Sequence, residues 1–124
     1  MSRVVHFEIP VSDPETAREF YTNVFGWQIT KWEGPSEYWL VSTGEQDSPG
    51  IDGGFYEPQG GLSGTVNTVD VENLDDVIEK VKANGGEILV PKMPVPGVGW
   101  LAYAKDNGQA VFGMMQSDPN AGSS

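Results

Sequence analysis

One histidine stands in the whole chain, His6, and two residues beyond it stands a carboxylate, Glu8. On an extended strand this spacing puts both side chains on the same face. An imidazole that titrates near neutrality beside a carboxylate could move a proton, orient a ligand, or contribute two donors to a divalent metal. A histidine that simply packs and hydrogen-bonds a neighbour, with a solvated Glu8, is the plainer alternative. The other residues with chemical potential are aromatic: Tyr38, Trp39, Trp100, Tyr103 and Phe112, with Met114 close behind. Rings with a few polar tips make the usual small-molecule site. Core packing or an interface between subunits would use the same residues.

The elements that must hold these groups can be read in order. Val4 to Val11 alternates Phe7, Ile9 and Val11 against His6, Glu8 and Pro10, the period of a strand with two different faces. Asp13 is placed to cap a helix with Pro14 at its first position, and Gly26 to end it. Ala17, Phe20, Tyr21, Val24 and Phe25 form an apolar stripe that should face the same core as the strand. Strands are expected over Trp27–Trp32, Glu37–Thr43 and Asp52–Glu57, the first broken by Glu33-Gly34-Pro35-Ser36. The paired glycines at 53 and 54 mark a bulge or a close approach.

After a glycine-rich linker the pattern returns about 60 residues on. Val11 falls on Val71, the cap Asp13 on Asn73, and Gly26 on Gly86. A second helix carries Leu74, Val77, Ile78 and Val81, with Asp75 and Asp76 in its first turn. Glu87–Val90, Gly99–Ala104 and Gln109–Gln116 supply three more strands, with Pro96-Gly97-Val98-Gly99 as either a tight loop or a lid. The expected fold class is α+β: two tandem βαβββ modules forming a curved mixed sheet with helices on its convex side and a hollow on the other. A single domain over 1–118 is expected, with module one at about 3–57, a linker at 58–63, module two at about 64–116, and a frayed polar tail at 117–124.

Composition narrows the function. Eighteen acidic residues against seven basic ones give a formal charge of −11. That field repels nucleic acid and anionic membrane surfaces, so neither is an expected partner. Absence of cysteine removes disulfides and thiolate metal ligands. With no apolar run of spanning length and no leader-like start, a soluble, cytoplasmic protein is the expectation.

The run HFEIPVSDPETAREFYTNVFGW, the second helix ending in NGGEI, and VPGVGWLAYAKDNGQAVFGMMQ together resemble the vicinal oxygen chelate superfamily, which includes glyoxalase I, bleomycin-resistance proteins and extradiol dioxygenases. The resemblance spans Val4 to Gln116. It implies a divalent metal in the hollow of active members, held by His and Glu or Gln side chains from the first and last strands of each module. His6 matches the first such position, whereas the others fall on Val66, Phe112 and near Gly54, which cannot coordinate. A metal held by His6 and Glu8 alone would be weakly bound. The resemblance therefore implies a small-molecule-binding protein with a degenerate metal site and no expected cofactor, its organic ligand touching His6, Glu8, Tyr38, Trp39, Trp100, Tyr103, Phe112 and Met114. A glyoxalase-like lyase or isomerase using His6 and Glu8, with a divalent metal, is the alternative. A homodimer closing the hollow is expected under either.

Overall fold

The structure, a computed structural model, describes residues 2–34, 37–58 and 62–123. The centre of the expected linker, 59–61, and two residues of the expected turn, 35 and 36, lie outside them. The elements run β1 (Val4–Pro10), α1 (Pro14–Phe25), β2 (Gln28–Lys31), β3 (Trp39–Ser42), β4 (Asp52–Tyr56), β5 (Val66–Asp70), α2 (Leu74–Ala83), β6 (Glu87–Val95), β7 (Gly99–Lys105) and β8 (Val111–Ser117). They make one mixed eight-stranded sheet in the order β2-β3-β4-β1-β5-β8-β7-β6. This is the α+β pair of βαβββ modules, joined where β1 runs antiparallel to β5. In each module the first and last strands pair in parallel, β1 with β4 and β5 with β8.

Both helices start as their caps dictate. The Asp13 carboxylate accepts from the Thr16 amide at 3.2 Å, and the Asn73 side-chain oxygen accepts from the Asp76 amide at 3.1 Å. Gly26 closes α1 in the left-handed conformation, φ 76°. Both helices cover the same face of the sheet. Leu74 of α2 packs with Val71, Ala102, Ala104 and Met114; under α1 lie Ile29, Val41 and Phe55.

The α1 stripe docks less than its periodicity suggests. Only Ala17 and Tyr21 join the core beneath it, and Tyr21 stacks on Trp27 at 5.1 Å with the planes 5° apart. Phe20, Val24 and Phe25 are more than half exposed. Only the row of the stripe that lies directly over the strands is buried, and here that row is 17 and 21. Phe20→Ser is therefore expected to change the unfolding free energy by no more than about 0.5 kcal/mol in urea denaturation. A larger loss would show that Phe20 packs in solution.

The far end of the chain settles one open reading and departs from another expectation. The residues after β8 are not frayed. Ala121 is buried, its carbonyl accepts from the Gly97 amide at 3.0 Å, the Asp118 amide donates to the Val98 carbonyl at 3.0 Å, and the Trp100 indole donates to Asp118 at 3.1 Å. The Pro96–Gly99 turn is thereby tied to the chain's own tail, and it is a tight β6–β7 turn rather than a lid. β6 also runs on through Pro91 and Pro94, which an edge strand tolerates because no neighbour needs their amides. Gln109 belongs to a turn, with φ 81°, where Asp106 accepts from the amides of Gly108 and Ala110.

Candidate functional site

The pairing register decides which side chains reach the face without helices. Glu8 stands opposite Gly54 on β4 and Val66 on β5, and His6 opposite Asp52 and Thr68. On β8 the neighbour of Thr68 is Gly113, and the neighbour of Asn67 is Phe112. The helix-free face is therefore floored by His6, Glu8, Asp52, Gly54, Val66, Thr68 and Gly113. Tyr38, Tyr56, Tyr103, Leu101 and Val111 close over it.

A buried carboxylate lies at its centre. Glu8 is 5% exposed, and the hydroxyl of Tyr103, itself 6% exposed, donates to it. Nε2 of His6 lies 2.7 Å from the hydroxyl of Tyr38, and the two rings lie nearly parallel with centroids 6.5 Å apart. Burial, and then the charge of Glu8, push the phenols of Tyr38 and Tyr103 well above the usual tyrosine range. Both therefore stay protonated and available as donors. Burial lowers the His6 pKa from its ordinary 6.5, opposed in part by Glu8 and then Asp52. At neutral pH the ring is neutral, and its contact with Tyr38 is a neutral hydrogen bond beside a charged one.

Because the chain has one histidine, its titration is unambiguous. The ring Cε1 proton is expected to titrate in NMR with a midpoint below 6.5 in the folded protein. The linkage has a definite sign. The unfolded chain takes up the proton first, so stability should fall as pH drops from 6.5 towards the lower native value, and His6→Asn should flatten that part of the curve. A midpoint at or above 6.5 would show that Glu8 and Asp52 outweigh burial.

The four positions that the family resemblance marks for metal ligands can now be located. His6, Gly54 and Val66 face the centre. Phe112 does not; the register puts Gly113 there, a one-residue slip that reverses the face. Among the described residues no group of three or more His, Cys, Asp or Glu side chains is placed to hold a metal ion. The three donors nearby are already engaged: His6 by Tyr38, Glu8 by Tyr103, and Asp52 by the Thr43 amide at 2.9 Å. This donor set does not fit a divalent ion.

Of the residues expected to line the hollow, His6, Glu8, Tyr38 and Tyr103 come together. Four do not. Phe112, Met114 and Trp100 pack under α2. Trp39 packs on the α1 side. Alternation is the cause: Trp39 follows Tyr38 directly, and Trp100 is three residues from Tyr103, so each ring points opposite to the tyrosine. Trp39 instead lines a cavity of about 230 Å³ with Ser12, Glu37, Phe55 and Glu57, its indole N–H buried and without a partner among the described residues. Sequence reasoning passed over Thr68 and Gly113. Thr68 is the repeat partner of Glu8, and that offset was the signal available for it.

Residues 3–44 match the family model described as bleomycin resistance protein-like N-terminal. The chain is 24% identical over 119 residues to a Mycobacterium bovis protein named "Putative glyoxylase CFP32", covering 93% of this chain and 46% of that one. It therefore spans about half the length of the curated relatives it matches. Among solved structures, hypothetical protein BH1468 of Bacillus halodurans superposes with a TM-score of 0.68 at 18% identity, covering 94% of this chain and 95% of that one. A glyoxalase/bleomycin resistance protein/dioxygenase superfamily member from Vibrio splendidus gives 0.63 at 19% identity, over 95% and 100% of the two chains. Methylmalonyl-CoA epimerase from Mycobacterium tuberculosis gives 0.65 at 15%, over 94% and 89%. At these identities the structural likeness speaks for the fold. No helix among the described residues is long and apolar enough to cross a membrane.

Proposed function

We propose, for a chain with the fold of the glyoxalase/bleomycin resistance/dioxygenase superfamily and a bleomycin-resistance-like first module, that it binds a small organic molecule on its helix-free face. The ligand meets a polar centre built from side chains alone. One observation carries the reading: Glu8 is a buried carboxylate satisfied by a tyrosine hydroxyl, at the place where the resemblance expects a metal site. Burying a carboxylate disfavours folding, and an apolar residue would fill the same space without that cost. Its retention is explained by recognition. The formal charge of −11 favours a neutral or cationic ligand over an anionic one.

Thermal-shift screening of organic molecules against the protein and its Glu8→Gln and His6→Ala variants tests the reading. A bound ligand at about 100 times its Kd adds about 2.7 kcal/mol to stability. The added stability should vanish in both variants. A ligand that stabilises all three proteins equally binds elsewhere and sinks the proposal.

The second reading is proton transfer by the same pair. A neutral imidazole beside a buried carboxylate favours it, and one structural neighbour is named as an epimerase. Deuterium incorporated into a recovered ligand, and lost with His6→Ala, would establish it. Ligand recovered without deuterium leaves binding alone.

A further inference from the structure

We propose that the Tyr38 side chain occupies the ligand's own slot, and that the slot takes a planar hydroxy-aromatic compound, a phenol, in its place; this rests on the reading of the helix-free face as a ligand site. The slot is shaped for a ring. His6 lies nearly parallel to the Tyr38 ring, at 17°, and Trp32 meets it edge-on at 6.1 Å. At the inner end the hydroxyl reaches Nε2 of His6 at 2.7 Å and faces the charge of Glu8. Below it is Gly54, where any Cβ would overlap the phenol oxygen. Glycine there is what leaves room for the hydroxyl.

Tyr38 and Tyr103 differ in how they are held. Tyr103 is locked in the middle of β7, paired to Gly113 on one side and to Val90 on the other. Tyr38 precedes β3, and its carbonyl accepts a bond from the Trp32 amide at 2.9 Å. Its side chain is only partly buried. Rotating it out would leave a ring-sized gap with an imidazole and a carboxylate at its end. A phenol restores the hydrogen bond to His6, whereas an apolar ring of equal size leaves His6 unpaired while Tyr103 stays on Glu8. A resident competitor lowers the apparent affinity by the fraction of time that it fills the slot. Removing it should therefore tighten binding.

The test titrates p-cresol and toluene into the wild-type protein and into Tyr38→Ala, reading the His6 ring proton and the tyrosine ring resonances by NMR. In the wild type p-cresol should shift the His6 and Tyr38 resonances and toluene should not. Tyr38→Ala should bind p-cresol at least about 10-fold more tightly than the wild type, and toluene at least about 10-fold more weakly than p-cresol. Tyr38→Phe, whose ring fills the slot without pairing His6, should show a smaller gain than Tyr38→Ala. Equal binding of toluene and p-cresol would overturn the proposal, as would a wild-type His6 resonance unmoved by p-cresol. Should Tyr38→Ala fail to fold, the wild-type arm decides alone. An organic ligand that depends on His6 and Glu8 yet leaves the Tyr38 ring unmoved would overturn the slot while upholding the site.

Discussion

Tyr103→Phe is expected to lower the unfolding free energy by about 2–3 kcal/mol, although it removes a single oxygen. The hydroxyl is the donor to Glu8, and both side chains are more than nine-tenths buried. Without it the carboxylate keeps its burial and loses its partner, which costs more than the hydrogen bond alone contributes. The effect should depend on Glu8. In Glu8→Leu the same Tyr103→Phe change should cost well under 1 kcal/mol, a coupling that a double-mutant cycle in urea measures directly. If the double variant is as stable as the wild type or more so, the polar centre is held against stability, as a binding site would require. Additive losses would show that Glu8 and Tyr103 do not act together.

The second large effect sets two adjacent glycines apart. Gly53→Ala should cost about 3 kcal/mol, the upper end for forcing extra volume into a packed interior. Its Cβ would run into the Phe7 carbonyl oxygen and ring, and the backbone oxygen belongs to the β1–β4 ladder, so it cannot move aside. Gly54→Ala meets only the hydroxyl end of Tyr38, a side chain that can swing out. That variant should stay folded but lose the His6–Tyr38 hydrogen bond, and the His6 NMR midpoint should move. Equal destabilisation by the two substitutions would mean that Tyr38 is as fixed as the backbone, and would count against a displaceable ring.

The architecture was legible because it is written in periodic and local signals. The caps Asp13 and Asn73, the glycine after α1 and the return of the pattern placed both helices and most strands. What the sequence could not show was the third dimension of each stripe. Periodicity makes Phe20 and Tyr21 members of one apolar face, yet only Tyr21 lies over the strands. The site was half legible for a related reason. The repeat offset is 60 between Glu8 and Thr68 but 59 between Gly54 and Gly113, the residues that face each other across the two parallel pairs. A uniform offset therefore cannot locate the facing residue on β8, and counting from the Asp106-Asn107-Gly108 turn instead falls one residue short of Gly113, on Phe112, which lies on the other face of the sheet. Naming both Tyr38 and Trp39 as lining residues ignored an alternation that admits only one of them. His6 and Glu8, two apart on one strand, were safe from such slips.

The centre that joins them is the claim on which the rest depends: a polar site made by His6, Glu8, Tyr38 and Tyr103 whose donors are already committed to one another. The most direct measurement is elemental mass spectrometry of tag-free protein prepared without chelator, with His6→Ala treated identically. The account predicts far less than one metal ion per chain in both. Near-stoichiometric metal in the wild type, lost in His6→Ala, would contradict it and return the site to the metal-dependent chemistry of its resemblance.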